Sequence, residues 1–206
     1  MSESPLNRRF IVLEGGEGSG KSTLAAALGA RFAAEGREVV LTREPGGTPA
    51  GELVRKLLHE PLTPWAEAFA FFVARAQLVS DVIRPALERG AAVVCDRFAA
   101  STYAYQAYAR GLDLGELRAA NAAATGGLEP GLTLFLDLEV GAGLTRKLGE
   151  DEAIRTGLES VEFHWKVRGG YLAQMAEAPA GSWVRIDATL SRDEVASAAW
   201  AAITGA

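Results

Sequence analysis

Short apolar runs alternate along the chain with longer segments of helical character. The runs are Phe10 to Glu14, Glu38 to Thr42, Ala91 to Cys95, Thr133 to Asp137 and Trp183 to Ile186. They are continuous rather than alternating, which is the pattern of strands covered on both faces. Such strands pair in parallel and need long crossovers, which the intervening helical segments supply. The pattern therefore predicts an α/β fold with a five-stranded parallel sheet flanked by helices on both faces. The longest helical segment runs from about Pro64 to Arg89, with Pro64 near its start and Gly90 just past its end. Pro85 predicts a kink or a shortening of that helix. From Arg146 to Glu162 the apolar period fades among charged residues and two glycines, which predicts a solvated, mobile segment.

Composition narrows the picture. A chain of 206 residues with 49% hydrophobic side chains suits a single domain over 1–206. Its net charge of −5 offers no broad basic face for a nucleic-acid backbone, so polynucleotide binding is disfavoured. The single cysteine, Cys95, excludes an internal disulfide framework and a cysteine-rich zinc site, and its apolar neighbours place it in the core. Met1 to Phe10 is polar, and no segment has the length and apolarity of a membrane span. Together these features predict a soluble, cytoplasmic protein.

The chemistry begins directly after the first strand. Gly15, Gly16, Glu17, Gly18, Ser19, Gly20, Lys21 and Ser22 spell G-x-x-x-x-G-K-S, and a helical run opens at Thr23. Strand, loop and helix follow in the order that a phosphate-binding P-loop requires. Its glycines let backbone N–H groups surround phosphates, and the helix N-terminus adds a favourable partial charge. Lys21 would reach the β- and γ-phosphates of ATP, and the Ser22 hydroxyl would bind Mg²⁺. Glu17 is out of place beside a polyphosphate. Either it points to solvent, or it accepts hydrogen bonds from a hydroxyl of a second substrate. The only asparagines, Asn7 and Asn121, form no N-K-x-D, so a guanine-nucleotide switch is disfavoured. Arg43 and Arg97 follow strands two and three, where guanidinium forks can hold phosphate in a crevice or form surface ion pairs.

The motifs acquire a common meaning when taken together. They comprise Phe10 to Thr23, Thr42-Arg-Glu-Pro-Gly-Gly-Thr48, Phe71 with Arg75, Asp96-Arg97-Phe98 with Ser101 to Gln106, and Leu134-Phe-Leu-Asp137. In this order they resemble bacterial thymidylate kinases over nearly the whole chain. The resemblance implies a P-loop NTPase-type sheet and transfer of the γ-phosphoryl group of ATP to dTMP, with Mg²⁺ as cofactor. Phe71 would stack on thymine, although on its residues alone it reads rather as a core aromatic among Phe69 and Phe72. Arg75 would bond the base edge, Arg43 and Arg97 would hold the acceptor phosphate, and Thr102, Tyr105 and Gln106 would line base and sugar. Glu17 would face the deoxyribose. Asp96 would help order Mg²⁺, or alternatively cap the next helix. Arg185 to Thr189 resembles an adenine-side loop. The family is typically homodimeric.

The loop contains no arginine to meet the charge of the transferring group. Arg146, Lys147 and Arg155 lie where the family carries a lid, here about 146–158, and Arg155 aligns with the catalytic lid arginine of relatives whose loop lacks one. Arg146 is the fallback. Two rival readings remain. In a deoxynucleoside kinase Glu44 would act as base toward a 5′-hydroxyl, and in a nucleotide-gated binding module Phe71, Arg75 and the charged lid would have no role.

Overall fold

The computed structural model describes residues 9–147 and 160–205. Five strands, β1 (Phe10–Glu14), β2 (Val39–Arg43), β3 (Ala92–Asp96), β4 (Leu132–Asp137) and β5 (Trp183–Asp187), form one sheet in the order β2-β3-β1-β4-β5, with every pairing parallel. All five predicted runs are strands, with ends shifted by at most one residue. Central β1 explains why an unbroken apolar run was needed. Ile11 and Leu13 pack with α1 (Lys21–Ala34) and α9 (Arg192–Thr204) through Leu28, Phe32 and Trp200. Phe10 and Val12 face the opposite cluster, with Leu78, Ile83 and Phe98. Cys95 is buried in that second layer, and burial pushes its thiol well above the ordinary range.

Prolines and hydroxyls start two successive helices. α2 (Pro49–Leu57) and α3 (Pro64–Leu78) each begin with proline, behind Thr48 and Thr63 caps that accept from the backbone N–H groups of Gly51 and Ala66. The helix expected from Pro64 to Arg89 is instead three consecutive pieces. A π-helical segment, Val79–Ile83, separates α3 from α4 (Arg84–Glu88), next to Pro85, which has no N–H for a regular ladder. A second π segment, Tyr103–Ala109, follows α5 (Ala99–Thr102) and had no counterpart in the sequence pattern. α6 (Leu114–Thr125) precedes β4, and α7 (Val140–Lys147) and α8 (Val161–Glu177) follow it. Arg146 and Lys147, expected in a solvated segment, close α7 in helical form. No helix among the described residues is long and apolar enough to cross a membrane.

Candidate active site

The loop after β1 folds back on its own lysine. Lys21 is nearly buried, and its Nζ donates to the carbonyls of Gly15 (3.0 Å) and Gly16 (2.8 Å) and to Ser19 Oγ (3.1 Å). Gly15 and Gly16 therefore stand behind the loop, while residues 17–23 line a cavity of about 1120 Å³. Burial, reinforced by the Arg97 guanidinium, pushes the Lys21 ammonium down to about 8 from 10.5. The charged form is the one that holds phosphate, so the free enzyme loses it as pH rises through about 8. We expect kcat/KM for ATP, which reports free-enzyme groups, to fall toward a limit of about tenfold per pH unit above that value. kcat at saturating ATP should hold to higher pH, because bound phosphates stabilise the cation. Initial rates at low and saturating ATP between pH 6.5 and 10 test this, and coincident profiles would contradict it.

Ser22 Oγ donates to Asp96 Oδ2 at 2.7 Å, which joins the loop to the end of β3. Asp96 does not cap α5. The N–H groups of Phe98 (2.9 Å) and Ser101 (3.2 Å) go instead to Glu14 Oε1, reaching across from β1. Glu14 is fully buried and also accepts from Ser101 Oγ (2.6 Å) and Tyr171 OH (3.1 Å). Burial raises its carboxyl, and the Ser101 hydroxyl, Arg97, the Phe98 N–H and Lys21 work against that rise.

Ser101 and Tyr171 also receive Arg97 Nη1, at 3.1 and 3.3 Å. Arg97 has φ of +71°, a left-handed conformation that a non-glycine residue adopts only under constraint. Its N–H donates to Leu13 O (2.9 Å), and its Nη2 to Glu17 Oε1 (3.0 Å). Glu17 accepts further from Tyr105 OH (3.2 Å) and Lys147 Nζ. Burial alone would raise the Glu17 carboxyl, but Arg97, Lys21 and Lys147 together hold it far below the carboxylate range. Glu17 is thus not a solvent residue, since its side chain is 10% exposed and turned onto the Arg97 side of the cavity.

The far wall comes from α3 and the helix after β3. Phe71 is half-buried on the cavity, Phe72 sits in the core and Phe69 is exposed, so the three aromatics point three ways. Arg75 is 1% exposed. Its Nε donates to both oxygens of Glu44 (3.1 and 3.0 Å), Nη2 to Glu44 Oε2 (2.6 Å) and Thr102 Oγ1 (2.9 Å), and Nη1 to Asn121 Oδ1 (3.0 Å). One Nη1–H is left without a partner among the described residues. Arg43 lies at the rim, more than half exposed, with only a 3.6 Å contact to Glu52 as an ion pair among the described residues. The same cavity is lined by Arg43, Phe71, Arg75, Asp96, Arg97, Thr102, Tyr105 and Gln106, and at its other end by Arg146 and residues after β5 such as Ala188, Leu190 and Val195.

A family model described as thymidylate kinase matches residues 13–199. The chain belongs to the thymidylate kinase family. The thymidylate kinase of Deinococcus radiodurans is 46% identical over 198 residues, covering 95% of this chain and 96% of its own. That of Synechococcus sp. strain JA-3-3Ab is 49% identical over 197 residues, 94% of each chain. The crystal structure of thymidylate kinase from Ehrlichia chaffeensis matches with a TM-score of 0.78 at 30% identity, over 95% of this chain and 97% of that one. The protein is accordingly a nucleoside monophosphate kinase with a P-loop NTPase sheet.

Within this thymidylate kinase family member, nearly every residue singled out from the sequence meets in one cavity. Arg155 lies outside the described residues. Four participants were not anticipated as such: Glu14, Asn121, Tyr171, and Glu44 as the partner of Arg75. An ionisable residue closing an otherwise apolar strand was the available signal for Glu14.

Proposed function

We propose that the cavity is a two-nucleotide site in which the γ-phosphoryl group of ATP passes to dTMP, giving ADP and dTDP for dTTP synthesis. The observation that carries this reading is the single continuous cavity running from the P-loop past Arg97 to Phe71. Its volume exceeds the roughly 300–1,000 Å³ of a site for one small ligand.

ATP would lie with its phosphates on residues 17–23 and its adenine against Ala188 and Leu190. Arg43 and Arg97 would take the dTMP phosphate. Arg43 is loosely held and able to turn, whereas Arg97 is fixed by Glu17, Ser101 and Tyr171. Phe71 would stack on thymine, the remaining Nη1–H of Arg75 would reach a base carbonyl, and Thr102, Tyr105 and Gln106 would close the pocket. Glu17 and Tyr105 would then meet the deoxyribose. Holding the two phosphates in line and excluding water is most of what phosphoryl transfer asks of a protein.

Mg²⁺ fits the Ser22 Oγ and Asp96 Oδ2 pair, two hard oxygen donors at the mouth of the loop. No cluster of three or more acidic, histidine or cysteine side chains stands ready for a metal among the described residues, so phosphates and water would complete its shell. When bound, the ion neutralises charge on the β- and γ-phosphates. The whole chain would act as one domain with a lid at about 146–158 carrying catalytic Arg155, in the cytoplasm. A homodimer is supported by the exposed apolar side chains Leu53, Leu57, Phe69 and Val73 on α2 and α3.

The deoxynucleoside kinase alternative needs Glu44 as a base. Both oxygens of Glu44 are taken by buried Arg75, which argues against that role. A coupled assay with ATP and Mg²⁺ across dTMP, dUMP, dCMP, CMP, AMP and thymidine tests the proposal. We expect ADP formation with dTMP and none above background with thymidine. Equal rates with the two would overturn it.

A further inference from the structure

Glu67, Phe71 and Arg75 are spaced i, i+4, i+8 along α3, so all three face the cavity. Phe71 and Arg75 have roles in the reading above, but Glu67 has none. Its side chain is 14% exposed. It accepts from Gln106 Nε2 at 2.8 Å and from Arg110 through Nε at 3.2 Å and Nη2 at 3.1 Å. An ionised carboxylate can only accept hydrogen bonds, so the Gln106 amide must give its NH₂ group to Glu67 and turn its carbonyl oxygen away. Gln106 is 1% exposed and lines the cavity, and its Oε1 accepts no hydrogen bond among the described residues. Arg110 grips the same carboxylate through two nitrogens, so Glu67 cannot readily rotate out of this role.

We propose that Glu67 is a specificity-determining positioning residue. By fixing the Gln106 amide, it presents a carbonyl acceptor to the base of the acceptor nucleotide, which selects a pyrimidine with an imide N–H over one with a bare ring nitrogen. This inference rests on the reading of the Phe71 side of the cavity as the dTMP site. Thymine and uracil carry a donor at N3, whereas cytosine carries an acceptor there. A cytosine base would set lone pair against lone pair, leaving two buried acceptors unpaired. Phe71 stacking cannot make this distinction, because every pyrimidine has a similar face.

The test compares kcat/KM for dTMP and for dCMP in the unmodified enzyme, in Glu67→Gln and in Gln106→Ala, with the KM for ATP and Tm as controls. A glutamine at position 67 can donate as well as accept, which frees Gln106 to present either end. We expect the dTMP-to-dCMP ratio to fall about tenfold in Glu67→Gln, the equivalent of one hydrogen bond, with the KM for ATP unchanged. The ratio should fall in Gln106→Ala as well. A ratio that stays at the unmodified value in Glu67→Gln while Gln106→Ala lowers it would overturn the Glu67 assignment alone. A ratio lowered in Glu67→Gln but not in Gln106→Ala would overturn it too, since Glu67 would then act by another route. If neither variant moves the ratio, both this inference and the base-site reading fail. Should Glu67→Gln not fold, the double variant Glu67→Gln, Arg110→Met removes the guanidinium together with the carboxylate and is read against the same outcomes.

Discussion

Replacing Arg155 by alanine is expected to lower kcat by roughly 10³ or more, with the KM for dTMP little changed. The reason lies in how the other cations are used. The phosphate loop carries no arginine, and Lys21 is its only cation. Arg97 and Lys147 both pair with Glu17, so part of their charge is already offset where the acceptor would bind. Arg146 Nη1 donates to the carbonyl of Ala188 at 3.1 Å, at the end of the cavity where adenine would lie. The transferring group spreads negative charge over its equatorial oxygens, and an arginine supplied to it contributes in the transition state more than in either ground state. A loss confined to kcat is the signature of such an interaction. Arg146→Ala, by contrast, should act chiefly on the KM for ATP, with less than about a tenfold loss of kcat. Steady-state kinetics on both variants decide between them. An unchanged kcat in Arg155→Ala would end its assignment, and a 10³ loss in Arg146→Ala instead would transfer the role to that residue.

What was legible in the chain, and what was not, follows from the range of the interactions. The sheet could be read because strands covered on both faces run apolar on both, as β1 does before its closing Glu14, with Phe10 and Val12 in one layer and Ile11 and Leu13 in the other. The P-loop could be read because its chemistry is local, packed into eight consecutive residues. Arg97 and Asp96 could be read because strand ends face the crevice in such sheets. The network that holds them could not. Glu14 sits 84 residues from Phe98 and 157 from Tyr171, and nothing in its neighbourhood announces those partners. Arg75 was named for the base, yet its Glu44 and Asn121 partners, 31 and 46 residues away, occupy most of its donors. The π segment that carries Tyr105 and Gln106 left no mark in composition or period either. Its stability depends on packing against α8, where a Cβ on Gly170 would stand 2.9 Å from Tyr108 Cβ.

Gly143→Ala is expected to lower kcat/KM for ATP by about a hundredfold, although the glycine touches neither substrate. Helix α7 lies against the phosphate loop backbone to backbone. A Cβ on Gly143 would stand 2.3 Å from the Glu17 carbonyl oxygen, and one on Gly18, which has φ of +68°, would stand 2.1 Å from the Gly143 carbonyl oxygen. Neither obstacle is a flexible side chain, so the added methyl must push the helix and the loop apart. Arg146 and Lys147 lie three and four residues after Gly143, on the helix face turned to the loop. The same displacement therefore strains the loop and withdraws Lys147 from Glu17 and Arg146 from Ala188. A shift of about 1 Å in a positioning element is enough for a loss of this size. Gly141→Ala is the control within the same helix, because its Cβ would meet only the movable Glu139 carboxylate, at 3.0 Å. That variant should keep near-normal kinetics, helped by alanine's helix propensity. Kinetics and thermal melts of the pair separate the two effects. If Gly143→Ala matched Gly141→Ala in kcat/KM, α7 could move without disturbing the loop, and the contact would not set the geometry of the site.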